Sequence, residues 1–383
     1  MKKLLKFLSY VLVAALASAA TLGISAWREE PYKLEELQNL IEAKFIGEAD
    51  PTAMGDAAAA AMIASIGDQW SYYIPAADYQ DHVDQQNNSY VGIGVTIQVA
   101  EDDSGFLILK VEELGPAAEA GILAGDKIIA ISGQSAAGMT TTDAGALVKG
   151  EEGTTVDITV ARGEEELTFT VERRTVLTVV AEGQMLDGNI GLVTITNFDA
   201  RCYDETIAAI EELLEQGAEA LIFDVRNNPG GYKSELVDVL DYLLPEGDLF
   251  HSEYYDGTVY TDTSDESCLE IPMAVLINGS SYSAAEFFAA ALEEYDAAVT
   301  VGEPTTGKGH FQTTTRLSDG SAVNLSVGRY TTPNGVSLAE VGGLVPQIQV
   351  EVDEETWGAI YAGTLEPEKD PQIQAAVEAL LGE

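Results

Sequence analysis

The sequence predicts an α/β chain of more than one module, and three observations predict it. From Asn189 onward strand-like and helix-like runs alternate. Before that, short alternating strand patterns with only two helical stretches fill some 90 residues. Earlier still, apolar residues recur at helical spacing. The 383 residues, 46% of them hydrophobic, are ample for two folded cores. Nineteen basic against 64 acidic residues give a formal net charge of −45. A surface of that sign repels nucleic acid and anionic lipid, so neither is an expected partner.

The N-terminus departs from the acidic trend. MKKLLK is basic, and no charged residue follows from Phe7 to Trp27. A basic start, an apolar stretch and the triplet Ala17-Ser18-Ala19 fit a secretory signal. The same uncharged stretch is also long enough to span a bilayer, with the lysines on the cytoplasmic side. Residues 1–27 are therefore expected to be a signal peptide or a membrane anchor, and the remaining chain to work outside the cytoplasm.

Residues 28–87 form an expected helical region, carried by KLEELQNLIEAKF and DAAAAAMIASIGD, with the helical pattern running from 33 to 82. Residues 88–175 form a β-rich module. SYVGIGVTIQVA, GFLILKVEE, DKIIAISG, TTVDITVAR and EELTFTVERR are its strands, GPAAEAGILAGD a short helical turn and MTTTDAGALVKG a capped helix. Residues 176–352 read as an α/β core with largely parallel strands. NIGLVTITNF, EALIFDVR and PMAVLINGS are strands, DETIAAIEELLEQG is an amphipathic helix closed by Gly217, and YKSELVDVLDYLL is a second helix. Residues 353–383 make a helical tail. Two cysteines, Cys202 and Cys268, lack any CxxC spacing, and they are read either as two free buried thiols or as a disulfide formed after export. His82, His251 and His310 are too scattered for a metal site, and no metal or cofactor is expected.

Ligands in open α/β sheets gather at the carboxyl ends of strands. Two loops there stand out: NNPGG after Arg226, and NGSSYS after Ile277. Ser283 heads the helical run SAAEFFAAAL with the S-x-x-E spacing of a capping box, which makes it a helix cap. The same position, at a helix N-terminus after a strand and a sharp turn, is also the layout of a nucleophile elbow, although G-x-S-x-G is absent. Downstream, Lys308 lies between two glycines. It is either a solvated loop lysine or, if burial keeps it neutral, a general base. Gly230 and Gly231 follow a buried strand and open a helix, so their N–H groups either complete a tight turn or bind an oxyanion.

Taken in order, these segments resemble the carboxyl-terminal processing, or tail-specific, serine peptidases, which carry an inserted PDZ domain. The resemblance runs from Leu34 to Leu381. It rests on DQWSYYIPAADY, YVGIGV, GPAAEAGILAGDKIIAISG, DVRNNPGGYKSELVDVLDYLLPEG, VLINGSSYSAAEFFAAAL, VGEPTTGKGHFQ, LSDGSAVNLSVGRYTTPNG, VGGLVPQIQV and DPQIQAAVEAL. It implies a crotonase/ClpP-like α/β protease core interrupted by the β-rich module as a PDZ domain. It also implies Ser283 as nucleophile, rather than Ser280 or Ser281, with Lys308 as base and Gln312 as the residue that orients the lysine. Backbone N–H groups of Ala284 and of Gly230 or Gly231 would hold the oxyanion. If HFQTTTRL is a strand, Gln312 shares a face with Lys308. One departure is Tyr282 directly before the serine, and His310 is a competing base. A PDZ loop formed by Tyr90, Val91, Gly92, Ile93 and Gly94 would capture a substrate's terminal carboxylate, with Ile93 and Val95 lining the pocket for its last side chain. The implied partners are proteins with exposed apolar C-termini. The alternative to the enzyme is a PDZ adaptor on a degenerate protease scaffold.

Overall fold

The computed structural model describes residues 33–382 except Glu101 and Glu113, so the expected signal or anchor at 1–27 lies outside the described residues. No described helix is long and apolar enough to cross a membrane. The chain divides into two compact units, the first ending at Pro75.

The first unit contains α1 (Lys33–Lys44), α2 (Pro51–Ala64) and a short strand β1 (Tyr72–Ile74). The Asp50 carboxylate accepts the Thr52 and Ala53 N–H groups at 2.9 and 3.3 Å, and Pro51 takes the first helical position. The helical pattern expected to run to residue 82 is broken after Ala64 and is helical again only from Tyr79. Gly67 turns the chain in the left-handed region at φ +73°, and the β-prone Tyr72-Tyr73-Ile74 then extends.

The second unit opens with α3 (Tyr79–Gln86) and β2 (Ser89–Gly92). The β-rich module follows: β3 (Val95–Val99), β4 (Phe106–Val111), α4 (Pro116–Ala120), β5 (Lys127–Ile131), β6 (Gln134–Ser135), α5 (Thr141–Val148), β7 (Thr155–Arg162) and β8 (Glu165–Glu172). Its antiparallel sheet runs β3-β4-β5-β7-β8, with β6 paired to β5. Ile93, Phe106, Ile108, Ile128, Ile158 and Val160 fill its core. β9 (Arg174–Leu177) then pairs back with β2, so the module leaves and rejoins the chain at one two-stranded neck.

The core is built from β10 (Ala181–Leu186), β11 (Ile190–Ile195), α6 (Cys202–Glu215), β12 (Ala220–Asp224), α7 (Lys233–Leu243), β13 (Gly247–Tyr254), β14 (Val259–Ser264), β15 (Met273–Ile277), α8 (Ala284–Glu294) and β16 (Ala298–Gly302). β17 (His310–Arg316), β18 (Ala322–Thr331), α9 (Leu338–Val341), β19 (Ile348–Gln349), α10 (Glu354–Tyr361) and α11 (Pro371–Leu381) complete it. The main sheet is ordered β10-β11-β12-β15-β16-β19 and is parallel except for β10. Its central strands, ALIFD and MAVLI, read as continuous apolar runs because both faces are covered. β13, β14, β17 and β18 form a separate antiparallel layer.

Helix α8 lies between these two layers and is apolar nearly all round, with every residue from Ala284 to Leu292 buried. Phe288 meets Phe223 of the main sheet edge-on at 5.4 Å, while Phe287 faces Phe250 of β13 at 6.0 Å. On the opposite sheet face, Ile373 and Ala376 of α11 pack with Ile222, Ala274 and Leu276. A buried Arg226 guanidinium, paired with Asp224 at 2.5 Å and Asp370 at 2.8 Å, pins the start of α11 to the end of β12. The helical tail thus forms a layer of the core.

Candidate active site

The loops after β12 and β15 are laced together at the carboxyl end of the sheet. The Asn278 carboxamide oxygen accepts the Asn227 and Ser280 N–H groups, each at 3.0 Å, and its NH2 donates to Asn227 Oδ1 at 3.0 Å. Ser281 Oγ donates to the Val225 carbonyl at 2.7 Å and accepts the Asn278 N–H at 3.1 Å. Ser281 is therefore an internal strut of the turn.

Ser283 differs from both neighbouring serines in its backbone. It sits at φ +59°, ψ −126°, between β15 and α8, and is only 8% exposed. A positive φ at a residue with a side chain costs about 1–3 kcal/mol and persists only where the surroundings enforce it. Here they do. Its N–H donates to Glu286 Oε2 at 2.9 Å, and its carbonyl accepts the Glu286 N–H at 2.9 Å. The glutamate of the S-x-x-E spacing thus caps the helix through backbone groups of Ser283, at dihedrals unlike those of an ordinary N-cap.

The glycine loop presses against this turn. A Cβ on Gly230, which has φ +88°, would lie 2.7 Å from Ser283 Cβ and 2.8 Å from the Ala284 nitrogen, so only glycine fits there. The Gly230 N–H donates to Asn228 Oδ1 at 2.8 Å, while Asn228 Nδ2 holds the Ile195 carbonyl at 2.8 Å. The Tyr282 N–H donates to the Asn228 carbonyl at 3.1 Å. Among the described residues, neither the Gly231 nor the Ala284 N–H donates to a protein acceptor. Of the two loop glycines, Gly231 is therefore the one whose donor is not already engaged.

Glu286 joins the serine turn to the lysine loop. Its side chain is fully buried. Oε1 accepts from Thr305 Oγ1 at 2.6 Å and from the Gly307 N–H at 2.5 Å. Oε2 accepts the Lys308 N–H at 2.8 Å together with that of Ser283. Burial pushes its pKa up, opposed by these four donors. The spacing S-x-x-E in the sequence disclosed only the local half of this hub. The half that reaches Thr305, Gly307 and Lys308 depends on chain crossing that no local pattern encodes.

The Lys308 ammonium stands 5.7 Å from the centroid of the Tyr282 ring, the aromatic residue that precedes Ser283. Gln312 lies on β17 just past a bulge between Phe311 and Gln312, so simple strand alternation does not relate it to Lys308. Its NH2 donates to the His310 carbonyl at 3.1 Å and to Ser326 Oγ at 3.0 Å, which leaves its carbonyl oxygen as the acceptor suited to an ammonium. His310 is exposed at the start of β17. Behind Gly231, burial and the Glu235 carboxylate push Asp199 up to about 7. Cys202 and Cys268 are free, and burial pushes the Cys202 thiol up to about 12.

In the β-rich module Tyr90, Val91 and Gly92 belong to β2 and pair with β9. Gly94 turns the chain at φ +78° into β3, whose partners all lie on β4, leaving its other edge open beside α5. Val95 begins that edge. Ile93, expected to line a pocket, is instead packed into the module core, with its carbonyl accepting the Ala117 N–H at 2.8 Å.

Comparison with known proteins agrees with this architecture. Residues 189–350 match Peptidase family S41 and residues 91–172 match a PDZ domain. The chain is 32% identical over 368 residues to the carboxy-terminal processing protease CtpA of Bacillus subtilis, covering 92% of this chain and 78% of that one. Among solved structures, the photosystem II D1 C-terminal processing protease superposes with a TM-score of 0.50 at 26% identity, over 88% of this chain and 92% of its own. An S41 protease of Bacteroides fragilis shares the fold at a TM-score of 0.58 and 18% identity, over 92% and 99%. With its PDZ module and its α/β core, the chain belongs to the S41 carboxy-terminal processing peptidases, which are serine proteases acting on proteins.

Proposed function

We propose that this chain is an exported or membrane-anchored endopeptidase that cleaves proteins near their C-termini, with Ser283 as nucleophile and Lys308 as general base. The observation that carries this reading is the enforced backbone of Ser283 at the head of a buried helix, joined through Glu286 to the Lys308 backbone. Ser283 Oγ attacks the peptide carbonyl while neutral Lys308 takes its proton and later delivers it to the leaving amine. Gln312 positions the ammonium through its free carbonyl oxygen. The Gly231 and Ala284 N–H groups receive the oxyanion, each worth about 3–4 kcal/mol of the barrier. The open edge of β3 takes the substrate's C-terminal segment as an added strand, with the Gly92–Gly94 turn receiving the carboxylate.

The test uses the exported portion of the chain, beside Ser283→Ala and Lys308→Ala, on an unfolded protein with an apolar C-terminal tail. Intact mass is followed over time. Fragments from wild type alone support the assignment. Equal cleavage by either variant refutes that residue's role.

A further inference from the structure

The peptide that joins Gly230 to Gly231 is held from behind. Its carbonyl accepts the Phe198 N–H at 2.8 Å, and the Tyr232 N–H donates to the Phe198 carbonyl at 2.7 Å. Phe198 and Gly231 thereby pair as an isolated parallel bridge between the segment after β11 and the glycine loop. The two backbones run so close that a Cβ on Gly231 would lie 2.2 Å from the Phe198 carbonyl carbon. A trans peptide is planar, and its C=O and N–H point in opposite directions. A fixed Gly230 carbonyl therefore fixes the direction of the Gly231 N–H, which has no protein acceptor among the described residues.

Phe198 is placed in turn by two carboxamides. Asn197 Oδ1 accepts the Asp199 N–H at 2.9 Å, closing an Asx turn across Phe198. The Asn197 NH2 donates to Asn88 Oδ1 at 2.8 Å. The Asn88 NH2 donates back to Asn197 Oδ1 at 3.0 Å and to the Ala200 carbonyl at 2.9 Å. Asn88 stands just before β2, is 5% exposed and holds φ +49°, a left-handed backbone that asparagine tolerates. Its carbonyl accepts the Thr178 N–H at 2.8 Å and an Arg201 guanidinium N–H at 2.9 Å, so Asn88 is fixed through backbone and side chain alike.

We propose that the Asn88–Asn197 pair is a positioning device for the oxyanion: it seats Phe198 so that the Phe198 N–H aims the Gly231 N–H at the developing charge. The inference rests on the reading in which Ser283 attacks and Gly231 receives the oxyanion. The asparagines act at one remove, through the bond from Phe198 to the Gly230 carbonyl. Hydrogen bonds in series polarise one another, so that bond also strengthens the Gly231 donor. An interaction made only with charge that builds up in the transition state supports the chemical step and not substrate binding.

The experiment compares full-length wild type, Asn197→Ala and Asn88→Gly, glycine being suited to the φ of Asn88. For each, kcat and KM are measured on a short reporter peptide, together with inhibition by the aldehyde built on the reporter's residues and by the matching alcohol. Ser283 Oγ adds to the aldehyde carbon to form a hemiacetal whose oxygen takes the oxyanion position, and the alcohol forms no such adduct. Each variant is expected to lower kcat by about tenfold or more, short of the loss of about 10²- to 10³-fold for a donor removed outright. KM and inhibition by the alcohol should stay as in wild type, while the inhibition constant of the aldehyde rises by the same factor as kcat falls. Wild-type kcat in a folded variant, a loss confined to KM, or an unchanged inhibition constant for the aldehyde overturns the proposal. If either variant fails to fold, Asn197→Asp decides by the same criterion, since it keeps the Oδ1 acceptor and gives up the NH2 that donates to Asn88. A wild type that binds the aldehyde no more tightly than the alcohol would instead overturn the serine and oxyanion reading beneath the proposal.

Discussion

The serine turn and the lysine loop, which supply the two halves of the proposed proton transfer, are held in different ways. Around Ser283 the turn is fixed from several directions at once: Asn278, Ser281 and Asn228 bond the flanking loops, Gly230 abuts the Cβ, and Glu286 takes the N–H. The Lys308 loop is fixed at its backbone, through two N–H groups and a threonine hydroxyl on Glu286, while the side chain extends partly exposed over Tyr282. The contrast teaches that the strained Ser283 backbone is preset, and that Glu286 sets where the Lys308 side chain starts from.

The largest expected effect tests both halves together. Ser283→Ala and Lys308→Ala should each lower kcat by about 10⁴-fold or more, and the double variant should be no worse than either, because residues acting as one unit are not additive. A double variant that multiplies the two losses would show that the halves act separately. Next comes Gly230→Ala, whose new Cβ would strike Ser283 Cβ and the Ala284 nitrogen. We expect kcat to fall about 10²- to 10³-fold, the scale of a lost oxyanion donor, measured on a short reporter peptide.

Glu286→Gln sharpens the comparison itself. An amide in this buried position has one acceptor oxygen for donors that now share two, and its NH2 must face backbone N–H groups. Stability should drop by about 1–3 kcal/mol in denaturant unfolding, with activity falling as well. Full activity in a folded Glu286→Gln would mean that the lysine loop does not depend on this link.

A smaller effect concerns Asp199, behind Gly231. Folded, it holds its proton up to about pH 7; unfolded, only to about pH 4. Between those values the native state binds more protons than the unfolded state, so this group's contribution to stability falls as pH rises through the window. Asp199→Asn removes the dependence, and its melting temperature should decline less than that of wild type between about pH 4 and about pH 7. Parallel declines would contradict the assignment. The smallest effect is expected outside the core. Gly94 turns into the open β3 edge at φ +78°, so Gly94→Ala should slow cleavage of a whole protein several-fold more than that of a short reporter. Equal losses would count against a docking role for that edge.

Much of this site was legible before the fold. The alternation of apolar strands and amphipathic helices from Asn189 onward announced the core, and the loops after Arg226 and Ile277 were visible as breaks at strand ends. On local grounds Ser283 stood undecided between helix cap and nucleophile, because S-x-x-E fits a capping box while the strand–turn–helix layout fits a nucleophile elbow. The structure keeps the capping box with Glu286 but holds Ser283 at a φ of +59°, unlike an ordinary N-cap. The roles of Asn228, Asn278 and Thr305 were not legible, since each depends on two loops distant in sequence meeting at one sheet end. Gln312 shows another limit: period-2 alternation assumes an unbroken strand, and the bulge at Phe311–Gln312 removes that premise. Ile93 was misplaced for a similar reason, as a single apolar residue between glycines says nothing of whether it faces a pocket or the core.

The measurement that tests the central claim most directly is labelling with an organophosphonate serine reagent, followed by peptide mapping. One adduct is predicted, on Ser283, absent from Ser283→Ala and formed far more slowly in Lys308→Ala. An adduct on Ser280 or Ser281, or equal labelling rates with and without Lys308, would contradict the account.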